Sequence, residues 1–256
     1  MQNKMEKVKV SCVSYLNSKP FIFGFEHFTE LKNTMQLELD IPSVCAKKLI
    51  ENKVDIGLVP VAILNKMRNY QIISDYCIGT NGNVKSVNLY SNVPLNQIGE
   101  IILDFHSQSS ITLTKVLSKF YWKKEFTFIN ANKDYINNIA GTTAGVVIGD
   151  RTFGMENTFE YVYDLSAEWK KFTGLPFVFA CWVTNKKNLN PQFLELFNQA
   201  LNYGIEHTNE AIAQLSLKTD YQNINLHNYL QHCIDYNLNA DKRNAMQKFL
   251  EYAKQL

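Results

Sequence analysis

Long apolar runs are missing from this 256-residue chain. Its first ten residues, Met-Gln-Asn-Lys-Met-Glu-Lys-Val-Lys-Val, lead into a run too short and too polar for a signal core or a membrane span, so the expected location is cytoplasmic. Cysteine is sparse: Cys12, Cys45, Cys77, Cys181 and Cys233 include no CxxC pair, which excludes the usual zinc, iron–sulfur and dithiol spacings. Their odd total also argues against a disulfide framework, and most lie in apolar segments where a thiol behaves as a small core residue. No Gly/Ser-rich tract, repeat or low-complexity segment marks a linker. Neither sign of charge dominates, because 26 Lys+Arg against 24 Asp+Glu leave +2. No overall field then steers the chain toward nucleic acid or an anionic membrane, and neither is expected as a partner.

Conventional catalytic kits are absent as well. There is no GxSxG elbow, HExxH, EF-hand loop, paired-carboxylate signature, P-loop or GxGxxG, and His27, His106, His207, His227 and His232 show no metal-ligand spacing. What remains is a 46% hydrophobic, 20% charged chain, the composition of a globular protein with a substantial core, long enough for one large domain or two lobes.

Apolar β-branched runs at 8–13, 35–39 and 54–59 read as strands, with a helix opened by Pro42-Ser43 and running through Ile50, and another started by Pro60. This alternation predicts an α/β protein with a parallel sheet. Further strands are expected near 87–90, 101–103, 126–129 and 146–148. Ile111, Val116, Leu117 and Phe120 give a helical period behind Ser107, Ser109 and Ser110. Another apolar run fills 175–183, Asn190-Pro191 caps a helix to about Ile205, and the remainder reads as helical. Two apolar strands, near 84–91 and 175–183, flank the middle block. They suggest that the chain leaves one lobe (1–86 plus 180–256), builds a second (87–179) and returns, with a ligand cleft between.

Four segments could carry chemistry. The turn Ser14-Tyr15-Leu16-Asn17-Ser18-Lys19-Pro20 follows a strand, at the end that faces the crevice in open α/β sheets, although Asn17 or Ser18 would also serve simply to cap the next helix. Asp104-Phe105-His106-Ser107-Gln108-Ser109-Ser110 runs into a helix start whose free N–H groups suit a carboxylate, or ordinary capping. Gly79 to Val87 is a polar turn that would place Ser86 where the lobes meet, or else a surface hairpin at Asn81-Gly82. Gly149-Asp150-Arg151 follows a buried strand, where the acid and the guanidinium could fix a ligand, cap a helix, or pair with each other.

Together these segments resemble the chorismate dehydratase family of the futalosine route to menaquinone. The resemblance rests on Val13-Ser14-Tyr15-Leu16-Asn17-Ser18-Lys19-Pro20-Phe21, Val54-Asp55-Ile56-Gly57-Leu58-Val59-Pro60-Val61-Ala62, Lys85-Ser86-Val87, Leu103 to Ser110, Ile148-Gly149-Asp150-Arg151, Glu168-Trp169 and Thr173 to Ala180. It covers roughly residues 8–184 in register and the tail more loosely. It implies a two-lobed type II periplasmic-binding-protein-like fold, used as an enzyme that removes water from chorismate without a cofactor. It implies Asn17 and Ser86 as catalytic residues, and Ser14, Tyr15, Gly57, Ser107, Ser109, Ser110, Gly149 and Asp150 around the substrate. Gln108 stands where the family often has Arg, a neutral group that would weaken an anion contact, and Ser109 where it often has Thr. A non-catalytic module binding a small carboxylate, or the sister enzyme acting on cyclic dehypoxanthinyl futalosine, are the alternatives.

Overall fold

Extended β-branched runs and capped amphipathic helices assemble into two mixed sheets in the computed structural model, which describes residues 7–217, 221 and 224–256. The chain first lays down β1 (Val8–Val13), α1 (Lys19–His27), α2 (Thr29–Thr34), β2 (Met35–Asp40), α3 (Pro42–Ile50), β3 (Ile56–Pro60) and β4 (Gln71–Thr80). It then crosses to β5 (Val87–Ser91), β6 (Glu100–Leu103), α4 (Gln108–Val116), β7 (Thr127–Asn130), β8 (Thr143–Ile148), β9 (Tyr161–Asp164) and α5 (Leu165–Thr173). It returns through β10 (Phe177–Thr184), α6 (Pro191–Glu206), α7 (Thr208–Ser216), β11 (Asp235–Asn237) and α8 (Ala240–Ala253).

The six-stranded sheet has the order β11-β4-β10-β3-β1-β2 and the five-stranded sheet β7-β6-β8-β5-β9. The expected parallel arrangement holds only in part. β1 runs parallel to β2 and β3, but β10 pairs antiparallel with β3 and β4, and β5 antiparallel with β8 and β9. The reason is the crossing itself: a strand that re-enters a sheet from the other lobe is free of the handed crossover that makes successive strands parallel. All eight residues of β10 are buried in the six-stranded sheet, so the return link is residues 174–176 rather than 179–180.

The tail is not wholly helical, since β11 adds a three-residue edge strand beside β4, and residues 218–220 and 222–223 of it lie outside the described residues. Lys242, fully buried on α8, fastens this edge through Asp235 Oδ1 at 2.6 Å and the carbonyl of Asn237 at 2.5 Å. On the opposite side α1 and α6 meet backbone to backbone. A Cβ on Gly24 would lie 1.9 Å from the Ala200 carbonyl oxygen, and one on Gly204 would lie 2.0 Å from that of Pro20. Trp182 fills the adjoining core against Phe21, Phe25 and Phe197. No described helix is long and apolar enough to cross a membrane.

Candidate active site

The C-terminal ends of β1, β3, β6 and β8 converge on one cleft, as the rule for open α/β sheets requires. Because β10 is antiparallel to β3, its early residues Phe179 and Ala180 reach the same edge. Between the sheets lies a narrow cavity of about 40 Å³. Its polar lining consists of Tyr15, Asn17, Ser86, Ser107 and Ser110. Gly149 also contributes, and the rest is apolar: Val13, Pro42, Pro60, Ile78, Val84, Val87, Ile148, Phe179 and Ala180.

Asn17 sits in a single 3-10 turn, Leu16–Ser18, directly after β1. Asp150 holds this turn from the other sheet: its two carboxylate oxygens accept the Leu16 N–H at 2.9 and 3.1 Å. Burial raises the Asp150 pKa, and the bond to Leu16 and the charge of Lys19 oppose that rise. Asn17 Oδ1 accepts a hydrogen bond from Ser18 at 3.3 Å. The ring of Tyr15 lies so close over Gly149 that a Cβ there would stand 2.7 Å from Tyr15 Cε2, and Gly149 has φ +67°, so this position demands glycine twice over.

Ser86 is set by strain next door. Lys85 adopts φ +64°, unusual for a side chain with a Cβ, and is pinned by its N–H to Asp164 Oδ2 (2.7 Å) and its carbonyl to Asn88 Nδ2 (2.8 Å). The Ser86 carbonyl accepts from Gly149 N–H at 2.9 Å. The buried Ser86 hydroxyl oxygen accepts from the phenol of Tyr229 at 2.7 Å. Tyr229 is wholly buried, and burial pushes its phenol above the ordinary range, with Ser86 and Asn17 acting in the opposite direction.

The three serines before α4 separate into different roles. Ser107 is the cap, accepting from the Ser110 N–H at 3.4 Å. Ser109 is turned away from the cavity, donating to the Phe179 carbonyl (2.8 Å) and accepting the Ala62 N–H (3.2 Å), which ties α4 to the six-stranded sheet. Ser110 Oγ is buried, faces the cavity and has no hydrogen-bond partner among the described residues. A buried hydroxyl without a partner at the positive end of a helix is suited to an anionic ligand.

Of the residues expected around a ligand, Tyr15, Asn17, Ser86, Ser107, Ser110 and Gly149 are brought together. Ser14, Gly57, Ser109 and Asp150 stand off the wall. Ser14 is engaged through its N–H with Asp40, and Gly57 packs beneath α3, where a Cβ would meet Val59 at 2.9 Å. Asp150 and Arg151 do not pair with each other. Arg151 instead forms an ion pair with Asp104, which is fully buried and also accepts from Tyr135 (2.9 Å), Ile148 N–H (3.2 Å) and His106 N–H (3.0 Å). His106 Nδ1 lies 2.5 Å from Tyr15 Oη, and its pKa is lowered by burial and by Arg151 against the pull of Asp104. Gln108 lines a separate outer groove with Lys115 and Lys119, so its neutrality leaves the cavity wall unchanged. All five cysteines are free and buried, with thiol pKa values raised chiefly by burial. Among the described residues no cluster of three or more His, Cys, Asp or Glu is placed to hold a metal ion.

Tyr229 is the contact that local sequence signals missed. It lies in the tail, within a π-helical segment Asn228–Cys233, 143 positions from the serine it touches. A π-turn inside a helical stretch often marks a functional site, but only coordinates reveal one.

Comparison with known proteins places the family and the fold. A chorismate dehydratase of Thermus thermophilus is 24% identical over 267 residues, covering 91% of this chain and 95% of that protein. A solved structure from Archaeoglobus fulgidus superposes with TM-score 0.71 at 14% identity, covering 100% of this chain and 98% of that one. A Candida albicans protein described as having the generic periplasmic binding protein fold gives TM-score 0.66 at 15% identity, with 98% and 90% coverage. The fold is thus the two-lobed α/β architecture of periplasmic binding proteins. The model of the menaquinone biosynthesis family matches residues 8–255, and the chain belongs to that family.

Proposed function

We propose that this protein is a chorismate dehydratase that converts chorismate to 3-[(1-carboxyvinyl)oxy]benzoate and water, at the start of the futalosine route. In this reaction the C3–H bond breaks and its electron pair becomes the new ring double bond. The C4–O bond breaks in the other direction, and the departing hydroxide combines with the proton. Gain of aromaticity supplies the driving force, so the protein's task is to position and polarise.

The observation that carries this reading is the composition of the cavity wall: among the described residues it presents amide and hydroxyl groups without a carboxylate or an imidazole. Ser86 donates to the leaving hydroxyl, and Asn17 orients the ring. Ser107, Ser110 and the first turn of α4 grip a carboxylate. The enolpyruvyl carboxylate of the substrate takes the C3 proton, and desolvation between apolar walls makes it a stronger base than it is in water. Ser14, Gly57, Ser109 and Asp150 hold the shape of the wall without touching substrate. Support comes also from the family membership and from the Thermus relative.

The test is incubation of purified protein with chorismate, following aromatic absorbance and the mass of the product. A product lighter by one water, with the enolpyruvyl group retained, supports the reading. Chorismate that is bound but recovered unchanged would make the protein a capture module, and neither binding nor turnover would exclude chorismate altogether.

A further inference from the structure

Tyr229 hydrogen-bonds to Ser86 and also interacts with Asn17, both of which line the cavity. It is absent from the cavity wall and instead lines an outer groove with Lys85, Asn88 and Asp164. Its backbone is held at both faces, the N–H by the Asn225 carbonyl (3.0 Å) and the carbonyl by Ile234 N–H (3.1 Å). Phe153 packs edge-on against its ring with centroids 5.0 Å apart. The phenol is therefore held toward Ser86 Oγ at 2.7 Å, with the Asn17 side chain as its second partner.

A serine hydroxyl has a single hydrogen and rotates freely unless something selects its orientation. A phenol is the stronger acid of the two, so in this pair it donates and the serine oxygen accepts. Once that lone pair is occupied, the serine hydrogen must point elsewhere, and the open direction is the cavity. We infer that Tyr229 is a positioning residue, which fixes and polarises the Ser86 hydroxyl as a donor toward the leaving group. This rests on the dehydratase reading above. Tyr229 touches no substrate, and its effect passes through Ser86.

The experiment is a double-mutant cycle on chorismate turnover with wild type, Tyr229→Phe, Ser86→Ala and the double variant. Loss of one hydrogen bond to a reacting group should lower kcat about tenfold in Tyr229→Phe with KM changed less than about twofold. In the Ser86→Ala background the same change should alter kcat less than about twofold, because its target is gone. An equal tenfold loss in both backgrounds would show that Tyr229 does not act through Ser86 and overturn the inference. Tyr229→Phe as fast as wild type would overturn it while leaving the dehydratase reading intact. A wild type that fails to turn over chorismate would remove the reading and this inference together. Should Tyr229→Phe not fold, 3-fluorotyrosine at position 229 keeps the shape and strengthens the donor. A kcat about twofold higher would then support the assignment, and one unchanged or lower would overturn it.

Discussion

The cavity wall and the cluster beside it, at the ends of β6 and β8, are built from opposite chemistry. The wall carries Tyr15, Asn17, Ser86, Ser107 and Ser110, without charge, and Tyr15 also reaches into the cluster. The cluster holds Asp104, Arg151, His106 and the phenols of Tyr15 and Tyr135, joined by hydrogen bonds and one ion pair. Charge near the cleft is thus spent on holding loops in place, while the groups facing the cavity are neutral donors and acceptors. Under the proposed function, a dianionic substrate would bring its charges to a neutral wall. Those carboxylates are then either gripped by the α4 turn or left poorly solvated and basic.

The strongest way to break this comparison is through the neutral wall. Asn17→Leu should lower turnover about hundredfold, as expected for removal of a group that stabilises developing charge, with substrate affinity near that of wild type. Steady-state kinetics beside a binding titration measure both, and full activity would end the catalytic assignment. Next comes the charged cluster. Asp104→Ala would strand the Arg151 guanidinium and the N–H groups of His106 and Ile148 and should cost about 3 kcal/mol, read by urea unfolding. A loss below about 1 kcal/mol would show that the cluster does not hold the fold.

The adjacent serines sharpen the contrast within a single turn. Ser110→Ala should raise KM about tenfold at unchanged stability. Ser109→Ala should cost about 1 to 2 kcal/mol in stability, because it strands the Ala62 N–H and the Phe179 carbonyl, with little change in KM. The smallest effect is that of pH. His106 titrates below its ordinary 6.5 in the folded protein, so as pH falls the unfolded chain takes up the proton first. The stability contributed is full above pH 6.5 and is lost as pH falls through the folded value. His106→Gln should flatten that part of the melting-temperature profile, and an unchanged profile would acquit His106.

Much of the fold was legible locally. β1, α3 and the Asn190 cap of α6 follow from apolar period, Pro at the first turn and Asn before it. β4 was not, because Gln71–Thr80 mixes Ser74 and Asp75 into its apolar residues, and becomes a strand through pairing with β10 and β11, which lie more than ninety positions along the chain. β9 and α5 were also hidden, although Asp164 caps α5 by accepting from Ser166 and Ala167 N–H. Among the candidate site residues, motif and turn chemistry singled out segments that reach the cavity but not the direction of each side chain. Ser109 and Ser110 are neighbours of one residue type, and nothing local says that one stitches the lobes while the other faces the cavity.

The sequence by itself determined the α/β class, the capped turns at the strand ends and the families of chemistry they could serve, since period, caps and turn residues act over a few positions. Only the tertiary structure decided which groups share the cavity and which are taken up elsewhere. Leu16 meets Asp150 across 134 positions, Ser109 meets Phe179 across 70, and Ser86 meets Tyr229 across 143. A hydrogen bond forms wherever folding brings donor and acceptor within about 3 Å, and that closeness is set by how the sheets pack rather than by any neighbouring residue.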